Sequence, residues 1–162
     1  MLIRPEREAD FDEIDDVVRA AFGQQDEVDL VRRIRTLKGY VPELSLVAVD
    51  DDQIAGHVML SYAKVDGRDI LQLAPLAVRP DRHNQGIGDA LTRHVLELAD
   101  DRGEPLVLVL GHPTYYPRFG FESARGLGID SDIPDLPDEP WMAKRLSNYD
   151  PSITGVATFP PS

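Results

Sequence analysis

The sequence predicts one α/β domain on a mixed sheet, with antiparallel strands first and a parallel pair after them. Three features carry that expectation. The 162 residues fit a single domain of ordinary size. The apolar period is helical before Gly39 and strand-like after it. A strand–loop–helix–strand unit then runs from Asp69 to Leu110, and such a crossover makes its two strands parallel.

Each element follows from its own pattern. Met1 to Arg4 reads as a short edge strand ended by Pro5. Glu6, Glu8 and Asp10 suit the positive end of a helix, and Phe11, Ile14, Val18 and Ala21/Phe22 then recur at helical spacing up to Gly23. Val28, Val31, Ile34 and Leu37 form a second stripe, closed by Gly39. Leu44–Val49 and Ile54–Val65 flank Asp50-Asp51-Asp52, the pattern of a hairpin. The three aspartates read as a solvated turn, because carboxylates on a tight turn point apart and metal ligands must converge.

Asp66-Gly67 launches a fourth strand over Asp69–Val78. Pro75 inside it cannot donate to the ladder, so this strand is expected to be broken or splayed there. Gly86–Arg102 is the strongest helix, with a stripe at Ile87, Leu91, Val95 and Leu98, and Glu104–Leu110 is a short central strand. Tyr115–Phe119 makes one or two helical turns. Phe121–Ile129 and Trp141–Leu146 read as two further strands, separated by a Pro/Asp-rich loop over Ser131–Pro140. Residues 147–162 form a mostly irregular tail with a short strand at Val156–Phe159. The predicted order is β-α-α-β-β-β-α-β-α-β-β.

Composition removes several functions. Seventeen Lys+Arg against 29 Asp+Glu give a formal net charge of −12. That field repels phosphate backbones and argues against nucleic-acid or anionic-membrane partners. The chain has no cysteine, which excludes disulfides, cysteine-based zinc or iron–sulfur sites and thiol nucleophiles. Charges fill the first ten residues where a signal peptide needs an apolar core, and no apolar run reaches the ~18 residues of a membrane span. The expectation is a soluble, cytoplasmic protein.

The segment from Leu76 to Leu91 points to chemistry. A strand ends, the polar loop Arg79-Pro80-Asp81-Arg82-His83-Asn84-Gln85 follows, and Gly86 and Gly88 open a long helix. Free amides at a helix start, with glycines admitting a ligand to the backbone, suit an anion. Gly86-Ile87-Gly88-Asp89-Ala90-Leu91 lacks the third glycine of a dinucleotide fingerprint and the Gly-Lys-Ser/Thr ending of a P-loop.

The run His83-Asn84-Gln85-Gly86-Ile87-Gly88 resembles the acetyl-CoA motif of the GCN5-related N-acetyltransferase (GNAT) superfamily, Gln/Arg-x-x-Gly-x-Gly/Ala, with histidine in the first slot. Downstream, Tyr116-Pro117-Arg118-Phe119-Gly120-Phe121 resembles the family's Tyr-x-x-x-Gly-Phe signature, and the longer run from Leu110 is similar to the YhbS-like branch. The element order agrees with that family's fold, whose fourth and fifth strands splay apart.

The resemblance implies an enzyme that transfers acetyl from acetyl-CoA directly to a primary amine of a small molecule or an amino terminus, with no metal. It implies a cofactor site at Leu76, Ala77 and Val78 of the fourth strand, at His83, Asn84 and Gln85 of the loop, and at Gly86, Ile87, Gly88, Asp89 and Ala90 of the helix start. Tyr115 and Phe119 would line it. Tyr116 would be the general acid for the departing thiolate, and Glu27, at the start of the second helix, a base for the amine. The first turn of a helix also favours a carboxylate such as Glu27 for electrostatic reasons alone. The alternative on the same scaffold is a non-catalytic acyl-CoA-binding or regulatory domain; the retained tyrosine favours the enzyme. A transferase acting on tRNA is disfavoured by the charge. A homodimer through the C-terminal strands is compatible with this reading.

Overall fold

The structure is a computed structural model and describes residues 1–159. In chain order it has β1 (Leu2–Pro5), α1 (Phe11–Phe22), α2 (Asp26–Ile34), β2 (Tyr40–Asp50), β3 (Gln53–Val65), β4 (Arg68–Val78), α3 (Ile87–Asp101), β5 (Leu106–Leu110), β6 (Glu122–Ser123), β7 (Ile129–Ser131), β8 (Trp141–Arg145) and β9 (Gly155–Thr158). The strands join in one mixed sheet ordered β1-β2-β3-β4-β5-β8-β6, with β9 beside β3 and β7 beside β9. β4 and β5 are the expected parallel pair. The mixed α/β class read from the sequence stands. No described helix is long and apolar enough to cross a membrane.

The two sheet faces are covered by different helices because side chains alternate along each strand. On one face, α3 sets Ile87, Leu91, Val95 and Ala99 against Leu46, Ala48, Val58 and Leu60. On the other, α1 buries Ile14, Val17 and Val18 against Val47, Ile54 and Ala77, and α2 sets Val31 and Ile34 on Met59. Each fully buried aliphatic side chain contributes about 1.5–3 kcal/mol. Gly56 of β3 lets α3 approach: a Cβ there would lie 2.9 Å from Leu91 Cδ1 and 3.0 Å from Ile87 Cγ2.

Pro75 marks a bulge. Leu60 faces Leu73 but Val58 faces Leu76, so β4 spends one residue more than β3 across this interval. The extra residue reverses the alternation, and Leu76 and Val78 come to the same side as Leu71 and Leu73. The β4–β5 ladder holds only at Leu71, Leu73 and the residue between them. Beyond Leu73 the two strands separate, as the proline suggested.

A polar cluster fixes α2 to the sheet. The buried Glu6 carboxylate accepts from Arg35 Nε and Nη2, both at 3.0 Å, and from the Tyr40 hydroxyl. His57 Nε2 lies 3.0 Å from both Glu6 Oε1 and Ser45 Oγ. Burial alone would raise the Glu6 pKa, but the bonds from His57, Arg35 and Tyr40 outweigh it and hold the carboxyl far below the usual range.

Four expectations need correction. The stripe of α2 stops at Ile34, because the chain turns at Thr36 and Leu37, whose amides bond to Arg33 and Ile34. The helix read over Tyr115–Phe119 is one 3₁₀ turn at Tyr116–Phe119. Phe121–Ile129 is not one strand: β6 and β7 are separated by a 3₁₀ turn at Arg125–Leu127, where Gly126 and Gly128 favour turning over extension. The tail strand lies at Gly155–Thr158, one residue earlier than read.

Candidate active site

The separation of β4 from β5 opens the site. Arg79 N–H donates to Ala55 O at 2.8 Å, which makes Ala77–His57 the next hydrogen-bonded pair of the antiparallel ladder. Leu76 and Val78 therefore turn their backbone groups away from β3, toward the gap that β5 leaves. Their side chains form one wall of a cavity of about 600 Å³.

The loop after β4 builds the next wall. Arg82 is tied to Asp50 at the β2–β3 turn, which anchors the loop to the sheet. Asn84 (φ +65°) and Gly86 (φ +78°) then take left-handed conformations that swing the chain into α3. The first helical bond runs from Ala90 N–H to Gly86 O, so the amides of Ile87, Gly88 and Asp89 have no intrahelical partner. Space at this point is narrow: a Cβ on Gly88 would lie 3.3 Å from the Tyr115 hydroxyl and 3.5 Å from Val78 Cγ2.

Aromatic residues close the far side. Tyr115 donates its hydroxyl proton to Asp89 Oδ1 at 2.8 Å. Burial, and then this bond, push its pKa up to about 12. Its ring packs edge-on against Tyr116 at 5.0 Å and Phe119 at 5.2 Å. Tyr116 is 7% exposed, with its ring in the core beneath Tyr115. Its hydroxyl has no hydrogen-bond partner among the described residues, and burial raises its pKa still further.

Not every residue singled out in the sequence reaches the cavity. Leu76, Val78, His83 and Asn84 line it, as do Gly86, Ile87, Gly88, Asp89 and Tyr115. Ala77 does not: it faces the opposite side, toward α1. The Ala90 amide is spent on Gly86, Gln85 is exposed away from the lining, and Tyr116 and Phe119 stand outside the lining and support Tyr115 from the core. Glu27 also lies outside the lining, with both carboxylate oxygens accepting from Gln24 Nε2 at 2.8 and 3.1 Å.

Four lining residues escaped the sequence reading: Ala21, Phe22, Arg82 and Arg118. Phe22 looked like the end of the α1 stripe, yet it is 41% exposed at the cavity. A second cavity of about 330 Å³ lies against Pro113, Pro117 and Met142. Of its three carboxylates, Glu122, Asp138 and Glu139, the first two are paired with Arg145 and Arg125.

The main cavity thus joins an apolar slot with exposed backbone, between separated strands, to a helix start with three unspent amides. That shape fits an extended ligand with an amide-bearing arm and a polyanionic head. Comparison with known proteins agrees. Residues 2–124 match the family model of the acetyltransferase (GNAT) domain. The chain is 36% identical over 155 residues to the uncharacterised N-acetyltransferase YjhQ of Escherichia coli, covering 91% of this chain and 85% of that one. It superposes on the crystal structure of E. coli YhbS, a GNAT family N-acetyltransferase in complex with CoA, with a TM-score of 0.90 at 32% identity, covering 98% and 89% of the two chains. A Brucella melitensis GNAT family acetyltransferase in complex with acetyl-CoA gives a TM-score of 0.81 at 29% identity, covering 98% and 95%. The chain belongs to the GNAT acetyltransferase family.

Proposed function

We propose that the protein is an acetyl-CoA-dependent N-acetyltransferase that acts on a primary amine of a small molecule or an amino terminus. The observation that carries this reading is the gap between β4 and β5 beside the open first turn of α3. The CoA and acetyl-CoA held by the two structural relatives support it. Acetyl-CoA supplies an acetyl thioester: the amine nitrogen bonds to its carbonyl carbon, the C–S bond breaks, and the amide and the CoA thiol leave.

The residues of this chain divide the work. Leu76 and Val78 offer backbone groups to the pantetheine arm and to the thioester carbonyl, where an N–H stabilises developing negative charge. The amides of Ile87, Gly88 and Asp89 receive the pyrophosphate. Tyr116 protonates the departing sulfur. Its raised pKa keeps the hydroxyl protonated at neutral pH and no partner claims it, whereas the Tyr115 proton is held by Asp89. The amine proton passes to water: the carboxylate of the cavity, Asp89, already accepts from Tyr115, and Glu27 lies outside the lining.

A panel of amines incubated with the protein and acetyl-CoA, with free thiol followed over time, tests the reading. Amine-dependent thiol release is expected. Binding of acetyl-CoA with no release for any amine class would favour the non-catalytic alternative.

A further inference from the structure

Three side chains bring a cationic or basic group to the cavity: Arg82, His83 and Arg118. The motif slot that carries Gln or Arg in the family holds His83 here. That side chain is exposed and has no hydrogen-bond partner among the described residues. Arg82 is committed to Asp50, with its side chain only 18% exposed. Arg118 differs from both. Its Nε donates to the Tyr115 carbonyl at 3.1 Å, and its guanidinium lies 4.5 Å from the Tyr115 ring centroid. Nη1 stands 3.6 Å from Asp89 Oδ2, near enough for attraction and too far for a hydrogen bond. The guanidinium is thus held in place while its terminal nitrogens have no hydrogen-bond acceptor among the described residues.

Asp89 is the third residue of α3, and its amide is one of the three unspent ones. A carboxylate at this point would repel an incoming diphosphate. The Tyr115 hydroxyl and the Arg118 charge offset that repulsion from the far side of the cavity. Planar N–H donors and helix-start amides that border one space complement a diphosphate, which a guanidinium binds through two parallel bonds. Resting on the acetyl-CoA reading above, we infer that Arg118 is the side-chain clamp on the cofactor's pyrophosphate.

Calorimetry of the Arg118→Gln and Arg118→Lys variants with acetyl-CoA and with its 3′-dephospho form tests this. Arg118→Gln should weaken both ligands by the same factor, about 10- to 100-fold, the range of hydrogen bonds to a charged group. Arg118→Lys keeps the charge without the fork and should fall between. Unchanged affinity in Arg118→Gln overturns the inference, and so does a loss that vanishes with the 3′-dephospho ligand, since the contact would then be to the 3′-phosphate. If Arg118→Gln does not fold, the lysine variant decides: wild-type affinity overturns the clamp. Failure of the wild-type protein to bind acetyl-CoA would instead overturn the proposed function.

Discussion

Replacing Glu6 by glutamine keeps the shape of the buried cluster and removes its charge. The carboxylate accepts two bonds from Arg35 and one from Tyr40, and it faces His57 Nε2. Arg35 has a side chain only 10% exposed, so it cannot turn to water for a replacement. A glutamine amide offers one oxygen and sets an NH₂ against donors. Removing one partner of a buried ion pair costs about 3–5 kcal/mol, and the retained oxygen puts Glu6→Gln at the lower end. At about 2–4 °C per kcal/mol for a chain of this size, the melting temperature should fall by about 6–12 °C. The effect carries a pH signature. The folded carboxyl titrates well below its ordinary value of 4.5, so the unfolded chain binds this proton first as pH falls. The stabilisation is complete above about pH 5 and declines below it, and the gap between wild type and Glu6→Gln should narrow in acid. Thermal unfolding between about pH 3 and 7 measures both effects. Equal melting temperatures at pH 7, or a gap unchanged down to pH 3, would refute the assigned ion pair.

Tyr116→Phe should lower kcat by about 100-fold, the low end for general acid catalysis because a thiolate is a fair leaving group, with little change in acetyl-CoA affinity. A loss confined to Tyr115→Phe would move the acid to Tyr115. Gly56→Ala should cost about 1–3 kcal/mol, because its Cβ would meet Leu91 and Ile87 at 3.0 Å or less; thermal melting checks it, and an unchanged midpoint would mean α3 yields freely.

Local signals were legible in the sequence where one physical cause dominated. Pro75 announced the interrupted strand because it has no N–H to give, and the bulge and the gap to β5 follow. Gly86 and Gly88 marked the helix start. Reading failed where position depends on tertiary packing. Phe22 satisfies the α1 period yet faces the cavity, since the helix ends before any strand covers it. The Glu6 cluster joins four elements or turns, so Glu6, which read as part of the acidic run at a helix start, is instead buried against Arg35, Tyr40 and His57. Arg118 stood inside a recognised signature, but its meaning required Asp89, 29 residues earlier, to lie beside it.

The central claim is that the open first turn of α3, beside the gap between β4 and β5, receives acetyl-CoA. Gly88→Asp tests it most directly, because the new side chain would add bulk and negative charge between Tyr115 and Val78. Calorimetry should show saturable acetyl-CoA binding by the wild-type protein and a loss of at least about 100-fold in the variant, with similar unfolding temperatures; two like charges brought this close cost several kcal/mol. Equal affinity in the two proteins would contradict the account.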